Sequence, residues 1–428
     1  MLERLNTDLG ERSLYDAVSQ CSRCGYCEQA CPTYVHTGLE SFSARGRNQL
    51  VRLLQEDKVK DPAALEAALS SCLLCGACTT VCPAKVPTAD IVLEGRRHLR
   101  GTGHWLARRI HNLIMFRPQL FAGLLKAGYT LKRWGVAALV ARSGLLHLLG
   151  LKGLAEATLH VDEAPSRLLF EELAEDSTLD PKEAASAAWA YFAPCGPNYV
   201  LPRVGLATLK VLKSTLGAGI RLENECCGLL SFNYGDVEQA REAAQVIIRR
   251  LEKSGLPASA PLVLDCSSCA AHLKAYPQMF LDDPRWKERA EAFAARVKDV
   301  AELIPADAAP AGVVEGTFHD ACRAVNGQGI KEEPRGPMRR LCGEGYREMQ
   351  RADVCCGGAG AFAFTHAELS EEMLQAKTGD IAASGAKVVA ATSTSCLLQL
   401  ARGLKKYYPE CRVAHLSELV AERVKKSG

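Results

Sequence analysis

Residues 21–34 read CSRCGYCEQACPTY, and residues 72–86 read CLLCGACTTVCPAKV. Cys21, Cys24, Cys27 and Cys31 are followed by Pro32, and Cys72, Cys75, Cys78 and Cys82 by Pro83. Every cysteine of the first run therefore returns 51 positions later (21 to 72, 24 to 75, 27 to 78, 31 to 82). The chain carries 19 cysteines in 428 residues, well above ordinary usage, yet it is far too long to need a disulfide framework. The cysteines are expected to bind something. Zinc is the plain alternative, because C-x2-C pairs form tetrahedral sites, but four ligands leave a third cysteine and a Cys-Pro in each run unexplained. Disulfides do not suit a thiol-reducing compartment. The N-terminus, MLERLNTDLGERSLYDA, points to such a compartment, since it is charged throughout and lacks the apolar core of a secretory signal.

The C-x2-C-x2-C-x3-C-P run is that of two-cluster ferredoxins, in which three close thiolates wrap one face of a cubane and the fourth cysteine ligates the other cluster. Cys21, Cys24, Cys27 and Cys82 are expected on one [4Fe-4S] cluster, with Cys72, Cys75, Cys78 and Cys31 on the other. Between the runs, SFSARGRNQLVRLLQED and DPAALEAALSSC read as two helices, the second with Asp61 as N-cap and Pro62 in its first turn. That helical linker sets residues 1–100 apart from the small β-rich bacterial ferredoxins. The module resembles the α-helical ferredoxin domain of succinate dehydrogenase iron-sulfur subunits.

Around this module the composition is that of a folding chain of two or three domains, 48% hydrophobic and 24% charged. Lys plus Arg total 52 against 49 Asp plus Glu, a net charge of +3, which gives no chain-wide field for a nucleic acid. No charge-free apolar run approaches the roughly 18 residues of a membrane span. The expected location is cytoplasmic, with any membrane contact peripheral and at the inner face.

A second, longer repeat organises the C-terminal half. Cys195 to Cys322 is 127 positions, Cys269 to Cys396 is also 127, and Cys226-Cys227-Gly228 to Cys355-Cys356-Gly357 is 129. A duplicated domain explains these offsets. The first copy, 186–310, offers Cys195, Cys226, Cys227, Cys266 and Cys269. The second, 311–428, offers Cys322, Cys355, Cys356 and Cys396, because Ser393 stands where Cys266 would recur. Short apolar runs precede the cysteines (AWAYFA, PLVLD, GTFHDA, AKVVAATSTS) and read as buried strands. VEQAREAAQVIIRRLEKSG and AELSEEMLQAKTGDIAASG read as helices closing on glycine. Strands alternating with helices imply a largely parallel sheet, with the thiols beyond the carboxyl ends of its strands, where ligands gather. The expected fold class is an α-helical two-[4Fe-4S] ferredoxin domain followed by a duplicated α/β Cys-Cys-Gly domain.

Glycine after two adjacent cysteines permits close backbone approach, and neighbouring thiolates can bind different irons. Five thiols exceed what a cubane takes. Either one remains a redox-active thiol or the site holds an unusual cluster; the bland alternative is a pair of buried, unliganded cysteines. Cys342 and Cys411 fit neither repeat and read as structural. His319 and Asp320, just before Cys322, read either as a proton-delivering pair or as a strand-end hydrogen-bonded pair. His272, Arg323 and Gln399 flank the cysteines and could tune a redox potential.

Between the two modules, residues 101–185 form a basic helical connector. Arg96 to Lys152 contains eleven Lys or Arg and no acid, interleaved with HWLARRIHNLIMF and YTLKRWGVAALVARSGLLHLL. Such helices rest on an anionic membrane surface with Trp105 or Trp134 near the interface, dock an acidic partner, or simply pack on their own protein.

CSRCGYCEQACPTY, CLLCGACTTVCPAKV, the two Cys-Cys-Gly copies, HDAC and SCLLQL together resemble the iron-sulfur subunits of glycolate or lactate oxidases over nearly the whole chain. The tandem domain is also similar to heterodisulfide reductase subunits and to the C subunit of anaerobic glycerol-3-phosphate dehydrogenase. The resemblance implies an electron-transfer subunit that takes electrons from an FAD-containing 2-hydroxy-acid dehydrogenase toward a quinone or another acceptor. It also implies, for Cys195, Cys226, Cys227, Cys266 and Cys269, a noncubane [4Fe-4S] cluster as a third centre. A heterodisulfide-reductase-like alternative makes the Cys-Cys-Gly centre catalytic, acting on a disulfide or quinol. The family pattern has proline between His-Asp and Cys where this chain has Ala321. No flavin or NAD fingerprint is present, since GGAGAF after Cys356 is not G-x-G-x-x-G and opens no dinucleotide unit.

Overall fold

The computed structural model describes residues 4–99, 105–148, 155, 158, 164–223, 226–308 and 310–424. It opens with a feature the sequence reading did not anticipate, an antiparallel hairpin of β1 (Arg4–Thr7) and β2 (Gly10–Ser13). Helices then dominate to residue 98. Ala44–Gln55 starts where Ser43 Oγ accepts from the Gly46 amide at 2.9 Å. Pro62–Ser70 starts where the Asp61 carboxylate accepts from the Ala64 amide at 3.0 Å, with proline in the first turn where no amide is missed. Thr88–His98 packs against Ala44–Gln55, and together they bury Val51, Leu65, Leu69, Ile91 and Val92.

The connector forms helices Trp105–Phe116, Pro118–Arg133, Val136–Arg142 and Leu145–Leu148. One side docks on the first Cys-Cys-Gly copy. Ile114, Met115 and Ala122 join its core, Ser231 meets His111 Nδ1 at 2.5 Å, and the Tyr129 hydroxyl donates to the Tyr199 carbonyl at 2.8 Å. The other side leaves Trp134 74%, Leu139 70% and Leu148 87% exposed, along with Phe116, Leu120 and Leu124. The Trp105 side chain, Arg100 and Lys152 lie outside the described residues. Among the described residues no helix is long and apolar enough to cross a membrane.

Each C-terminal copy is built on a parallel sheet. The first contains β3 (Ala190–Phe192), β4 (Ile220–Leu222), β5 (Leu262–Leu264) and β6 (Val297–Asp299) in the order β4-β3-β5-β6. The second contains β7 (Gly316–Phe318), β8 (Val388–Ala391) and β9 (Arg412–His415) in sequence order. Its counterpart of β4 has shrunk to a single bridge between Gly316 and Tyr346, 30 residues apart like Ala190 and Ile220 (346 − 316, 220 − 190). β3, β5, β7 and β8, the strands legible as apolar runs, are buried at every position, as strands covered on both faces should be.

The copies meet through equivalent residues, as at a two-fold axis. Cys266 Sγ lies 3.9 Å from the hydroxyl of Ser393, its own counterpart, and Ser268 Oγ lies 2.9 Å from the same hydroxyl. The Ser267 amide donates to the Thr392 carbonyl at 2.9 Å. Away from this seam, helix Pro202–Leu216 packs on Leu416–Ala421, where Thr208 Oγ1 donates to Ser417 Oγ at 3.0 Å.

Candidate iron-sulfur sites

The two ferredoxin-type runs fold into the same loop. Arg23 and Leu74, and then Gly25 and Gly76, are left-handed at φ 62°, 53°, 87° and 79°, and each pair is 51 residues apart. Non-glycine residues adopt that region only where the surroundings require it, and here the pattern repeats around each cysteine triplet. These left-handed residues reverse the backbone within each triplet, the kind of turn that three closely spaced thiolates on one cluster need. Cys31, Cys72, Cys75 and Cys78 line one small cavity, bringing the last cysteine of the first run to the triplet of the second. Cys21, Cys24 and Cys27 lie outward of these, and Cys24 is exposed. Burial pushes the Cys27 thiol up to about 11 and the Cys78 thiol up to about 12.

A positive charge stands beside this cavity. Arg47 is buried on helix Ala44–Gln55, and its Nη1 donates to Cys31 Sγ at 3.7 Å. Its other nitrogens donate to the Ala68 carbonyl at 2.7 Å and to the Thr33 and Ser71 hydroxyls at 3.0 Å. The sequence signal was available: an arginine on the face of an amphipathic helix that carries Val51 into the core.

In both C-terminal copies the cysteines sit where the chain leaves a strand. Cys195 opens helix Cys195–Tyr199 after β3, and Cys322 opens Cys322–Gln328 after β7. Cys269 and Cys396 lie in the first turn of Ser267–Lys274 and Thr394–Tyr407, after β5 and β8. Gly228 and Gly357 are left-handed (φ 84° and 78°), and a Cβ on Gly357 would stand 2.9 Å from the Ser370 carbonyl. Glycine is required there for the paired thiols to turn inward.

The structure brings all five thiols of the first copy into one nest. The sulfurs of Cys227 and Cys269 are 3.4 Å apart, and Cys226 touches both Cys195 and Cys227. Sulfur contacts from Cys226 and then Cys269 bring Cys227 down to about 6, and contact with Cys269 brings Cys266 down to about 6, while Cys195, Cys226 and Cys269 are raised. In the second copy Cys322, Cys355, Cys356 and Cys396 follow one another in contact, and Cys322, Cys355 and Cys356 are raised. His319 joins them: a ring nitrogen and the sulfurs of Cys356 and Cys396 lie within 4.8 Å of one another. Gln399 donates to the Cys356 carbonyl at 3.2 Å and to Ser370 Oγ at 2.9 Å, fixing the Cys-Cys-Gly turn. Buried Lys377, not singled out in the sequence, reaches the Arg351 and Ala352 carbonyls and adds positive charge beside Cys355 and Cys356.

These sites share one space. A cavity of about 680 Å³ is lined by Cys72, Cys195, Cys226, Cys227, Cys266, Cys269, Cys322, Cys355, Cys356 and Cys396, with Arg96, Arg323 and Arg402 on its walls and Leu73, Leu74, Phe362 and Phe364 supplying apolar surface. Sequence spacing could not show that both thiol sites and the Cys72 loop face a common volume. Arg96 ties the walls together, donating to the Leu69, Ser70 and Cys72 carbonyls and, across the domain boundary, to the Asn233 carbonyl at 2.9 Å. Asn326, on the helix begun by Cys322, donates to the Cys75 carbonyl at 3.1 Å and accepts from Thr80 at 2.7 Å.

The remaining flanking residues divide. Arg323 lines the cavity, whereas His272 packs between Phe232 and Tyr276, and burial lowers its imidazole to about 3. Asp320 is held by Arg335 through two bonds of 2.9 and 2.8 Å, away from His319. Cys342 and Cys411 are buried in the core of the second copy.

A dicluster loop pair joined to a duplicated thiol nest defines an iron-sulfur protein, the electron-carrying component of an oxidoreductase. Residues 17–86 match the 4Fe-4S dicluster domain, and residues 189–274 and 316–401 each match the cysteine-rich domain. A probable glycolate oxidase iron-sulfur subunit of Bacillus subtilis is 27% identical over 98% of this chain and 97% of the relative. Lactate utilization protein A of Exiguobacterium and of Bacillus cereus are each 29% identical, over 56% and 54% of this chain and 98% of the relative. The chain is thus similar over nearly its whole length to a glycolate oxidase iron-sulfur subunit, and it carries a dicluster domain followed by two cysteine-rich domains.

Proposed function

We propose that this chain carries electrons from a partner flavoprotein that oxidises a 2-hydroxy acid, glycolate or lactate, to a quinone or another acceptor. Cys21, Cys24, Cys27 and Cys82 hold one [4Fe-4S] cluster, and Cys72, Cys75, Cys78 and Cys31 the second. Cys195, Cys226, Cys227, Cys266 and Cys269 hold a third, noncubane centre, and Cys322, Cys355, Cys356 and Cys396 contribute to the second Cys-Cys-Gly site. The four-part division at residues 100, 185 and 310 belongs to the same reading. One observation carries it: Cys72 opens onto the cavity that both Cys-Cys-Gly sites line, and Cys75 packs with Cys322 and Cys355. Electrons enter at the outer cluster, near exposed Cys24, and leave through the cavity. The basic connector, with its exposed apolar face, rests on the anionic inner membrane surface where a quinone is found.

The test is anaerobic mixing of the assembled complex with lactate or glycolate while cluster absorbance and EPR are followed. Cluster reduction at the rate of turnover is expected. Clusters that stay oxidised during turnover would refute the wiring.

A second reading makes the first Cys-Cys-Gly site catalytic toward a disulfide or quinol. The cavity favours it, being of small-ligand size and walled by apolar side chains beside Cys227 and Cys266. Undiminished disulfide or quinone turnover in Cys227→Ser would eliminate it.

A further inference from the structure

We propose that the second Cys-Cys-Gly site is a mixed sulfur and nitrogen iron centre in which His319 supplies the donor that Ser393 does not. The inference rests on the electron-transfer reading above and concerns the ligands of this one centre. In the first copy Cys269 is flanked by Cys227 and Cys266. Their counterparts in the second copy are Cys396, Cys356 and Ser393. The Ser393 hydroxyl is engaged elsewhere, 2.9 Å from Ser268 Oγ and 3.3 Å from Ser395 Oγ. His319 enters from the end of β7, and its ring nitrogen, Cys356 Sγ and Cys396 Sγ all fall within 4.8 Å of one another. Donors held about 2.0–2.3 Å from one tetrahedral metal atom stand roughly 3.5–4 Å apart, so this grouping needs little closure to share one. The position equivalent to His319 in the first copy is Phe192 (319 − 127 = 192), so the imidazole is present only in the copy that lacks the fifth thiol.

The burial of His319 requires a further partner. The residue has no solvent exposure, and neither ring nitrogen makes a well-formed hydrogen bond, although one faces the Ala352 carbonyl. Leaving a buried imidazole so poorly paired costs free energy that a metal bond would recover. A carbonyl on one ring nitrogen and a metal on the other is also how proteins fix the orientation of a ligating histidine. Asp320, the acid next to it, is committed to Arg335. Four thiols and one imidazole equal the five donors of the first copy and exceed what a single zinc ion takes, which favours an iron-sulfur centre.

The test uses the full chain, purified anaerobically from cells fed natural or ¹⁵N-labelled histidine, as wild type, His319→Ala and His319→Cys. Pulsed EPR of the wild type is expected to show a nitrogen coupling that changes with the label and is lost in both variants. His319→Ala should lose about four irons while the ferredoxin-type signals persist. His319→Cys should regain them with a lower midpoint potential, because a thiolate replaces a neutral ligand. An unchanged iron content and spectrum in His319→Ala would overturn the proposal, as would zinc at the site. Should His319→Ala fail to fold, the labelled wild type decides by itself, since absence of the coupling is refutation. A wild type holding only about eight irons would remove the electron-transfer wiring through the cavity as well. More iron without nitrogen coupling would remove this inference alone.

Discussion

Replacing Arg47 with methionine should lower the midpoint potential of the cluster that includes Cys31. The Arg47 guanidinium lies 3.7 Å from Cys31 Sγ in a fully buried position, which places its charge roughly 6 Å from the centre of a cluster bound there. Arginine keeps its charge in any protein environment. At an effective dielectric constant of about 20, a unit charge interacts with one added electron at that distance by about 3 kcal/mol. With about 59 mV for each tenfold change in a one-electron equilibrium, the expected fall is about 120 mV. Arg47→Lys serves as the control, because it keeps the charge while losing the fork that holds Ala68, Thr33 and Ser71. An EPR-monitored redox titration of the full chain, with iron content confirmed, reads the effect. Equal shifts in the two variants, or a fall below about 30 mV in Arg47→Met, would show that the charge does not set the potential.

Arg96→Met removes the side-chain donor that the carbonyls of Leu69, Ser70, Cys72 and Asn233 share and should cost about 3 kcal/mol, seen as a lower urea midpoint; a change under about 0.5 kcal/mol would mean that the domains are held elsewhere. Burial raises Asp299 to about 6 from an unfolded value near 3.8, so its ionisation works against folding: the contribution is favourable below about pH 4 and is lost as pH rises to about 6. Asp299→Asn should therefore gain on the wild type by about 2–3 kcal/mol between pH 4 and 7, and parallel stability curves would contradict that. Leu139→Asp combined with Trp134→Ser should weaken cosedimentation with phosphatidylserine vesicles at least tenfold without altering iron content; equal binding would place the docking face elsewhere.

Spacing carried most of the N-terminal domain, because a cluster constrains covalent neighbours: four thiols within one turn-rich loop leave a fixed interval in the sequence. The helix at Pro62–Ser70 was legible for a similar reason, since Asp61 and Pro62 act within a single turn. Strands β4, β6 and β9 were not, because a charged residue interrupts each of them, as in IRL, VKD and RVAH, so no apolar run marks them. The hairpin at Arg4–Ser13 lacks a sustained alternation for the same reason, with Leu5 its one buried side chain. At the thiol sites, membership of each nest was read from the 127- and 129-residue offsets, but the common cavity was not. Arg96 and Asn326 create it through contacts 137 and 251 residues apart in sequence, a range at which spacing says nothing. His319 was visible as a residue beside Cys322; its proximity to Cys356 and Cys396 depends on how β7 and β8 pair.

The seam between the copies bears on how the two halves came to differ. In a dimer of identical chains, a residue on the symmetry axis faces itself, so any substitution there alters both partners at once. A single polypeptide carries no such constraint: position 266 is cysteine while position 393 is serine, 3.9 Å away. A single change at this point takes a sulfur from one nest and places a hydroxyl against the other. In one polypeptide a substitution at this point acts on the two sites in opposite ways, an asymmetry that a pair of identical chains cannot have.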